Sequence, residues 1–588
     1  MANLRLLTFG LAAACAAAGA LWRQPLLGVP ALAALAAFAW LVWRHAGLRR
    51  TRDRSALQRQ VAEEALHRAR REWDGIPLRE GSAADRAHPY ATDLDLTGRA
   101  SLLHLLDTTT SPMGAATLAE WLLAPIPVDG QARDGRLAEV RERQDAVREL
   151  AERLDLREEL QLRGRQRSLE DAGAEPFLAW CEAEPEERGW TRAAWAWAAW
   201  LSPLLLWGLL GAWLARLVPV PVWIVFLLAN LALWQLRGGV GERALGAVRR
   251  QQGAVRQYGE QLDLLTRAEL EAPALRRLQE AAWGSGAPPR RELARLDRTL
   301  AFAVPPESMG YAVSQSLLLW NVHVANALER WRRRSGREAR RWLDALGELE
   351  ALGALAGLRH AHPAWTFPGF EEGAEELVGE QLGHPLLDPR MRVDNDVTLG
   401  PPGSFLLVTG SNMSGKTTLL RAIGVNVVLA NAGAPVCARA LRLPPVRLWT
   451  SMRIEDSLER GVSYFLAEVR RLREIVEAAR DTAGGTPMVC YLLDEVLQGT
   501  NTAERQVAAR AVLRHLAGLP TLGAVTTHDL TLAEAPELSG AARQVHFTEQ
   551  VDAAGGAPSM TFDYRLRPGP ATSTNALRLL ESMGLLDG

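Results

Sequence analysis

The chain has 588 residues, with 67 Lys plus Arg against 68 Asp plus Glu and a net charge of −1, a length that corresponds to about three or four domains. So even a balance gives no global pull toward nucleic acid or acidic surfaces and confines any such binding to local patches. Cys15, Cys181, Cys437 and Cys490 are far apart and form no CxxC, which excludes a disulfide framework or a zinc site and reads them as reduced and structural.

The chain opens on an apolar run from Leu6 to Trp22, a break at Arg23-Gln24-Pro25, and a second run from Leu26 to Trp43. Arg44, Arg49, Arg50, Arg52 and Arg54 follow. This predicts a transmembrane hairpin over residues 1–47 with its charged side in the cytoplasm, then a juxtamembrane helix and linker over 48–94. A signal peptide with a poor lipoprotein site at Cys15 is the competing reading. The second apolar span and the lack of a small-residue cleavage pattern weigh against it.

Residues 95–190 read as helices, with two apolar helical stretches around the turn Thr108-Thr109-Thr110-Ser111-Pro112. A second transmembrane hairpin is predicted over 191–237, from Ala193–Ala215 and Val220–Leu236 around Arg216 and Pro219. Arg188 and Arg192 precede it and Arg237, Arg243, Arg249 and Arg250 follow it. A buried helix pair in a large soluble core is the alternative, but spans of this length exceed ordinary core helices. The positive-inside rule leaves the N-terminus, the middle and the C-terminus on one side, so the chain reads as a multi-pass protein of the inner, cytoplasmic membrane.

Residues 238–365 are helical in period. Their most basic run, Arg330–Arg341, has two readings: a surface for phosphates, or a solvated helix face that can lie near anionic lipid headgroups.

From residue 366 to 588 short apolar strands alternate with helices, the pattern of a three-layer α/β domain. The chain's single lysine, Lys416, stands in Gly410-Ser411-Asn412-Met413-Ser414-Gly415-Lys416-Thr417-Thr418, a G-x-x-x-x-G-K-T loop between an apolar strand and a helix. A compact ammonium reaches between β- and γ-phosphates where a guanidinium is too wide, so this loop is the candidate nucleotide site. Met488–Leu493 delivers Asp494 and Glu495 at its end. Asp494 is suited to holding Mg²⁺ with the Thr417 hydroxyl, and Glu495 to polarising the attacking water. His528, at the end of Leu522–Thr527, is suited to sensing the γ-phosphate. Gly499-Thr500-Asn501-Thr502 is a polar turn fit to face a second subunit across the nucleotide.

The loop G-S-N-M-S-G-K-T-T, the run L-L-D-E-V-x-x-G-T-N-T and the T-T-H strand end resemble the ATPase domain of the MutS family of DNA mismatch-repair proteins, a branch of the ABC-type ATPases. Asn412-Met413 is the most specific mark. Leu102–Leu122 resembles the opening of the family's core domain, and Glu348–Ala356 the helix that returns from its lever arms. The resemblance implies an α/β P-loop domain preceded by an all-α core and lever region, a homodimer, ATP with Mg²⁺, and duplex or branched DNA as partner. It further implies that Ser463, in Gly461–Glu468, reaches the γ-phosphate held by the other protomer, and that Tyr564 stacks on adenine.

Nothing before residue 95 resembles the family's mismatch-reading domain, and the one Phe-x-Glu triplet, Phe547-Thr548-Glu549, falls on a late strand. The expectation is therefore a membrane-anchored relative without the mismatch reader, working as an ATP-driven helical clamp on DNA. The alternative is a membrane scaffold or a transporter-class ABC ATPase acting on a non-DNA partner; transporters are expected to carry a Leu-Ser-Gly-Gly-Gln signature, which Gly461–Glu468 lacks.

Overall fold

The computed structural model describes residues 2–22, 24–79, 88–165, 174–183, 190–249, 252–284, 288–371, 373–411, 413–453, 464–482, 487–497, 502–552 and 559–571. Helix α1 (Ala2–Leu21) folds back on α2 (Gly28–Arg70), with the rings of Phe9 and Phe38 5.5 Å apart. Helix α2 carries on through the charged residues after Trp43 without a break. Its C-cap, Arg71, in left-handed conformation, donates to Pro385 O from Nε at 2.9 Å and Nη2 at 2.7 Å.

Next come α3 (Leu102–Leu106), α4 (Pro112–Leu123), α5 (Gly130–Glu152), α6 (Leu154–Arg165) and α7 (Glu175–Glu182). The second apolar pair is α8 (Trp190–Leu214) and α9 (Trp223–Arg249). Among the described residues, three helices are long and apolar enough to cross a membrane: Leu4–Leu21, the Gly28–Arg70 helix, and Trp197–Leu214. The expected fourth span, Val220–Leu236, is helical from Trp223 onward. Among the described side chains, Trp223–Gln235 forms a shorter apolar stretch of this helix.

The chain then forms α10 (Gln252–Arg267), α11 (Pro273–Trp283), α12 (Pro289–Ala301), α13 (Tyr311–Leu318) and the long α14 (Trp320–Ala361). Helix α14 is the axis of the helical region, and α4, α5, α7, α11 and α12 pack on it. Close approach to α4 depends on glycine: a Cβ on Gly347 would lie 2.9 Å from Met113 Cβ. Ser111 caps α4 by accepting from Gly114 N at 3.0 Å, with Pro112 in the first turn. Glu350 of α14, buried, closes the arrangement. It accepts from Thr110 N at 3.2 Å, Ser111 N at 3.0 Å, Gln261 Nε2 of α10 at 3.0 Å, and both the Thr110 and Ser111 hydroxyls. One carboxylate thus joins the turn before α4, α10 and α14, and satisfies donors that would otherwise be buried unpaired.

The basic run on α14 is largely neutralised from within. Arg332 and Arg333 pair with Glu329, Arg334 with Glu292 of α12, Arg340 with Glu175 and Glu182 of α7, and Arg341 with Glu338.

The α/β domain contains β1 (Gly369–Phe370), β2 (Leu377–Leu382), β3 (Asn395–Leu399), β4 (Ser404–Thr409), α15 (Lys416–Ala432), β5 (Ala440–Leu443), β6 (Val446–Ser451), α16 (Tyr464–Asp481) and β7 (Met488–Asp494). It continues through α17 (Thr502–Ala517), β8 (Thr521–Thr527), α18 (Leu530–Ala533), β9 (Ala542–His546), β10 (Glu549–Asp552), β11 (Ser559–Phe562) and β12 (Arg567–Pro568). The main sheet runs β12-β9-β4-β8-β7-β6, parallel except for β12, and a smaller sheet runs β1-β5-β2-β3. Strands β4, β7 and β8 are almost wholly buried, as a parallel sheet covered on both faces requires. Ile475 and Leu472 of α16 and Leu513 and Leu516 of α17 cover one face. The other face shares a continuous core with α15 and the helical region.

Residues 88–96 fasten the two regions together. Thr450 Oγ1 donates to Asp93 at 2.7 Å, and the amides of Met452 and Arg453 donate to the same carboxylate at 3.1 and 2.9 Å. Asp95 pairs with Arg421 of α15 and with Arg453. Leu94 lies so close to Gly424 that a Cβ there would stand 2.7 Å from its side chain. In the stretch expected to end a linker, Tyr90, Ala91, Asp93 and Leu94 are buried.

Candidate functional site

Strand order assembles the site. Strand β8 lies between β4 and β7, so the C-terminal ends of three neighbouring strands present the Gly410–Thr418 loop, His528, and Asp494 with Glu495, where open α/β sheets bind ligands. The loop requires unusual backbone: φ is 145° at Gly410, 72° at Met413 and 103° at Gly415. A Cβ on Gly415 would also stand 3.1 Å from the Tyr564 ring.

Lys416 is buried, and its ammonium donates to the carbonyls of Gly410 at 2.9 Å and Ser411 at 2.8 Å. Thr417 Oγ1 donates to Asp494 Oδ2 at 2.7 Å, and the Thr526 hydroxyl donates to the other oxygen of Asp494. Glu495 has a positive φ of 49° and is held by its amide, which donates to Thr526 O at 3.2 Å and Thr526 Oγ1 at 3.1 Å. Its Oε1 lies 3.4 Å from His528 Nδ1 and 3.9 Å from Lys416 Nζ.

Beside this cluster is a cleft of about 700 Å³, a volume suited to a nucleotide-sized ligand. Leu387, Met391 and Val393 give it an apolar wall, and His384, Asn395 and Tyr564 complete that side. Asn395 holds the Tyr564 segment, donating to Tyr564 O at 3.0 Å and accepting from Leu566 N at 2.7 Å.

Two observations fit a phosphate ligand. The Ser411 and Ser414 hydroxyls are buried with no hydrogen-bond partner among the described residues, and the loop leads into the N-terminus of α15, where amide groups favour anions. The donor set also suits Mg²⁺, which takes one or two protein oxygens and completes its shell with phosphate and water. Thr417 and Asp494 supply such oxygens.

Residues 406–586 match the family model for MutS domain V. The chain is 34% identical over 247 residues to "DNA mismatch repair protein MutS 2" of Halobacterium salinarum, covering 41% of this chain and 27% of that protein. A protein of the same name from Haloarcula marismortui is 37% identical over 199 residues, 33% of this chain and 20% of its own length. The mismatch-repair protein MSH6 of Arabidopsis thaliana is 32% identical over 226 residues, 37% of this chain and 17% of its own length. The C-terminal domain is thus similar to MutS domain V. The matched stretch spans only about a quarter or less of these relatives, and the helices α1, α2, α8 and α9 lie outside the matched model.

Within this domain, the structure brings Gly410, Ser411, Ser414, Gly415, Lys416, Thr417 and Thr418 together with Asp494, Glu495, His528 and Tyr564. Met413 belongs to the same loop, with its side chain exposed. Asn412, Ser463 and Gly499-Thr500-Asn501 lie outside the described residues.

Sequence reasoning missed His384, Asn395 and the apolar wall, which sit on and around β2 and β3 without a motif to mark them. The sole signal is the break His384-Pro385 directly after an apolar strand.

Burial, with Arg421 nearby, lowers the pKa of His384 to about 4, and its Nδ1 accepts from Leu386 N at 3.2 Å. The ring is therefore neutral in the folded domain, while in the unfolded chain it titrates near 6.5. Protonation favours the unfolded state, so stability conferred by His384 is complete above about pH 6.5 and is lost as pH falls toward about 4. Thermal melts at a series of pH values, compared between the unmodified protein and His384→Gln, are expected to converge as pH drops through that window. Parallel curves would remove His384 from the acid sensitivity.

Proposed function

We propose that this protein is a membrane-anchored, MutS-like ATPase that binds ATP with Mg²⁺ in the cleft beside Gly410–Thr418 and hydrolyses it between two copies of the chain. In this reading the cycle opens and closes the helical region as a clamp, with duplex or branched DNA as the partner. The observation that carries it is the meeting of Lys416, Thr417, Asp494, Glu495 and His528 at three adjacent strand ends inside a MutS domain V.

Lys416 leaves the loop carbonyls and turns its ammonium to the β- and γ-phosphates, while Ser411 and Ser414 offer hydroxyl donors. Thr417 and Asp494 would hold Mg²⁺, which when bound neutralises charge on the phosphate oxygens. Glu495 orients the attacking water and accepts its proton. His528 faces the γ-phosphate and steadies Glu495. Tyr564 stacks on the base, and Ser463 enters the partner's site.

The domain layout follows from this reading: membrane hairpins over 1–47 and 191–237, core and lever helices over 95–190 and 238–365, and the ATPase domain from 366 onward in the cytoplasm. Three apolar helices of spanning length support the anchor in the inner membrane.

The test is ATP turnover of the detergent-solubilised protein with and without duplex, mismatched and branched DNA, from low to moderate salt. At least one DNA form is expected to change the rate. Turnover and retention unaffected by every DNA form would sink the clamp on DNA while leaving the ATPase intact.

One observation favours a second reading, a membrane scaffold whose ATPase acts on protein partners: most guanidinium groups of Arg330–Arg341 already pair with carboxylates of α7, α12 and α14.

A further inference from the structure

Between Ala301 and Leu328 the only acidic or basic residues are Glu307 and His323. The stretch holds the Pro305-Pro306 turn, α13 and the first turns of α14. Prolines and short elements break its hydropathy, so no long apolar helix marks it in the sequence. Folded, it turns Phe302, Met309, Val313 and Leu318 outward, all exposed.

Its other face is docked on the second apolar pair. Asn230, fully buried in the apolar stretch of α9, donates from Nδ2 to Ser316 O at 2.9 Å. Trp234 meets Tyr311 edge-on with centroids 5.7 Å apart, and Trp200 of α8 lies 4.4 Å from the His323 ring. Between α8 and this segment opens an apolar cleft of about 510 Å³ lined by Trp200, Leu204, Trp207, Phe302, Leu318 and Trp320. The cleft runs onto the outer face of α8, where Trp200, Leu204 and Trp207 are exposed.

A contiguous apolar surface of this kind is unfavourable in water and marks a partner. Lipid fits better than a second copy of the chain. The surface is continuous with the Trp197–Leu214 window, which is itself apolar enough to span, and it offers almost no charge to orient a protein.

We propose that Phe302–Ala327 is a third membrane element, lying in the cytoplasmic half of the bilayer beside the second hairpin, with lipid acyl chains against its outer face and in the cleft it forms with α8. This rests on the membrane reading of that hairpin. Asn230 and Trp234 lie toward the cytoplasmic end of the apolar stretch of α9, within about 8 Å of Gln235 along the axis, the depth at which interfacial helices settle. The element also seats the root of α14 in the bilayer.

The test uses full-length protein carrying Cys15→Ser, since Cys181, Cys437 and Cys490 are buried. A single cysteine at Met309, Leu318 or, as reference, Leu204 is labelled with an environment-sensitive fluorophore. The protein is reconstituted into phosphatidylethanolamine–phosphatidylglycerol vesicles with or without bromine on the acyl chains. Brominated lipid is expected to quench Met309 and Leu318 labels at least half as strongly as the Leu204 label. Quenching at Leu204 with none at Met309 and Leu318, as a covering second copy or protein would produce, overturns the third element and leaves the hairpin in the membrane. No quenching at any of the three positions removes the hairpin from the membrane and this element with it.

Discussion

Glu495→Gln is expected to lower ATP turnover by about 10²–10³-fold, within the range a positioned general base contributes, and to leave nucleotide affinity within about threefold. The physical reason is local. Glu495 is held by its own backbone, whose amide bonds to Thr526, and its carboxylate points beside His528 and Lys416. Changing one oxygen to an amide preserves shape and removes the proton acceptor. Lys416→Ala has the opposite signature. It deletes the ammonium and leaves a gap under the loop, so nucleotide binding itself is lost. Phosphate release gives the rate and a fluorescent ATP analogue the affinity; equal turnover of Glu495→Gln and the unmodified protein would take Glu495 out of its role.

Glu350→Ala is expected to cost about 3 kcal/mol or more of stability, the scale for removing a buried carboxylate and stranding its donors. Thr110, Ser111 and Gln261 all lose an acceptor at once, and the turn before α4 is freed from α14. Glu350→Gln keeps the volume and one acceptor oxygen, so its loss is smaller. Circular dichroism melts of the detergent-solubilised protein would measure both. A Glu350→Ala protein that melts with the unmodified one would show that the turn is held by packing alone.

The parts of the site legible in the sequence are those whose chemistry is local. Gly410–Thr418 shows its glycines and lysine within nine residues, and Asp494, Glu495 and His528 stand at the ends of apolar runs whose period declares a strand. What stayed hidden depends on partners remote in sequence. Asp93 and Asp95 look like surface residues until β6 and α15 arrive, 357 residues away for the Thr450 bond. The Arg330–Arg341 run shows its charge but not its carboxylates on α7 and α12. Hydropathy marks α1, α2, α8 and the start of α9 as apolar, and passes over Phe302–Ala327, whose apolar face exists only after folding.

Helices α2 and α14 share one geometric property. Each runs for more than forty residues, about 60–65 Å at 1.5 Å per residue, from an apolar, membrane-like end to a common meeting point. There Arg71 at the end of α2 grips Pro385, next to His384 in the cleft wall, and lies 3.3 Å from His362 at the end of α14. Two rods hinged at one point act as dividers: a change of about 5° in the angle between them displaces their far ends by about 5 Å. On the proposed membrane reading, a sub-ångström adjustment around a nucleotide would be delivered at the bilayer as a movement the width of a lipid chain.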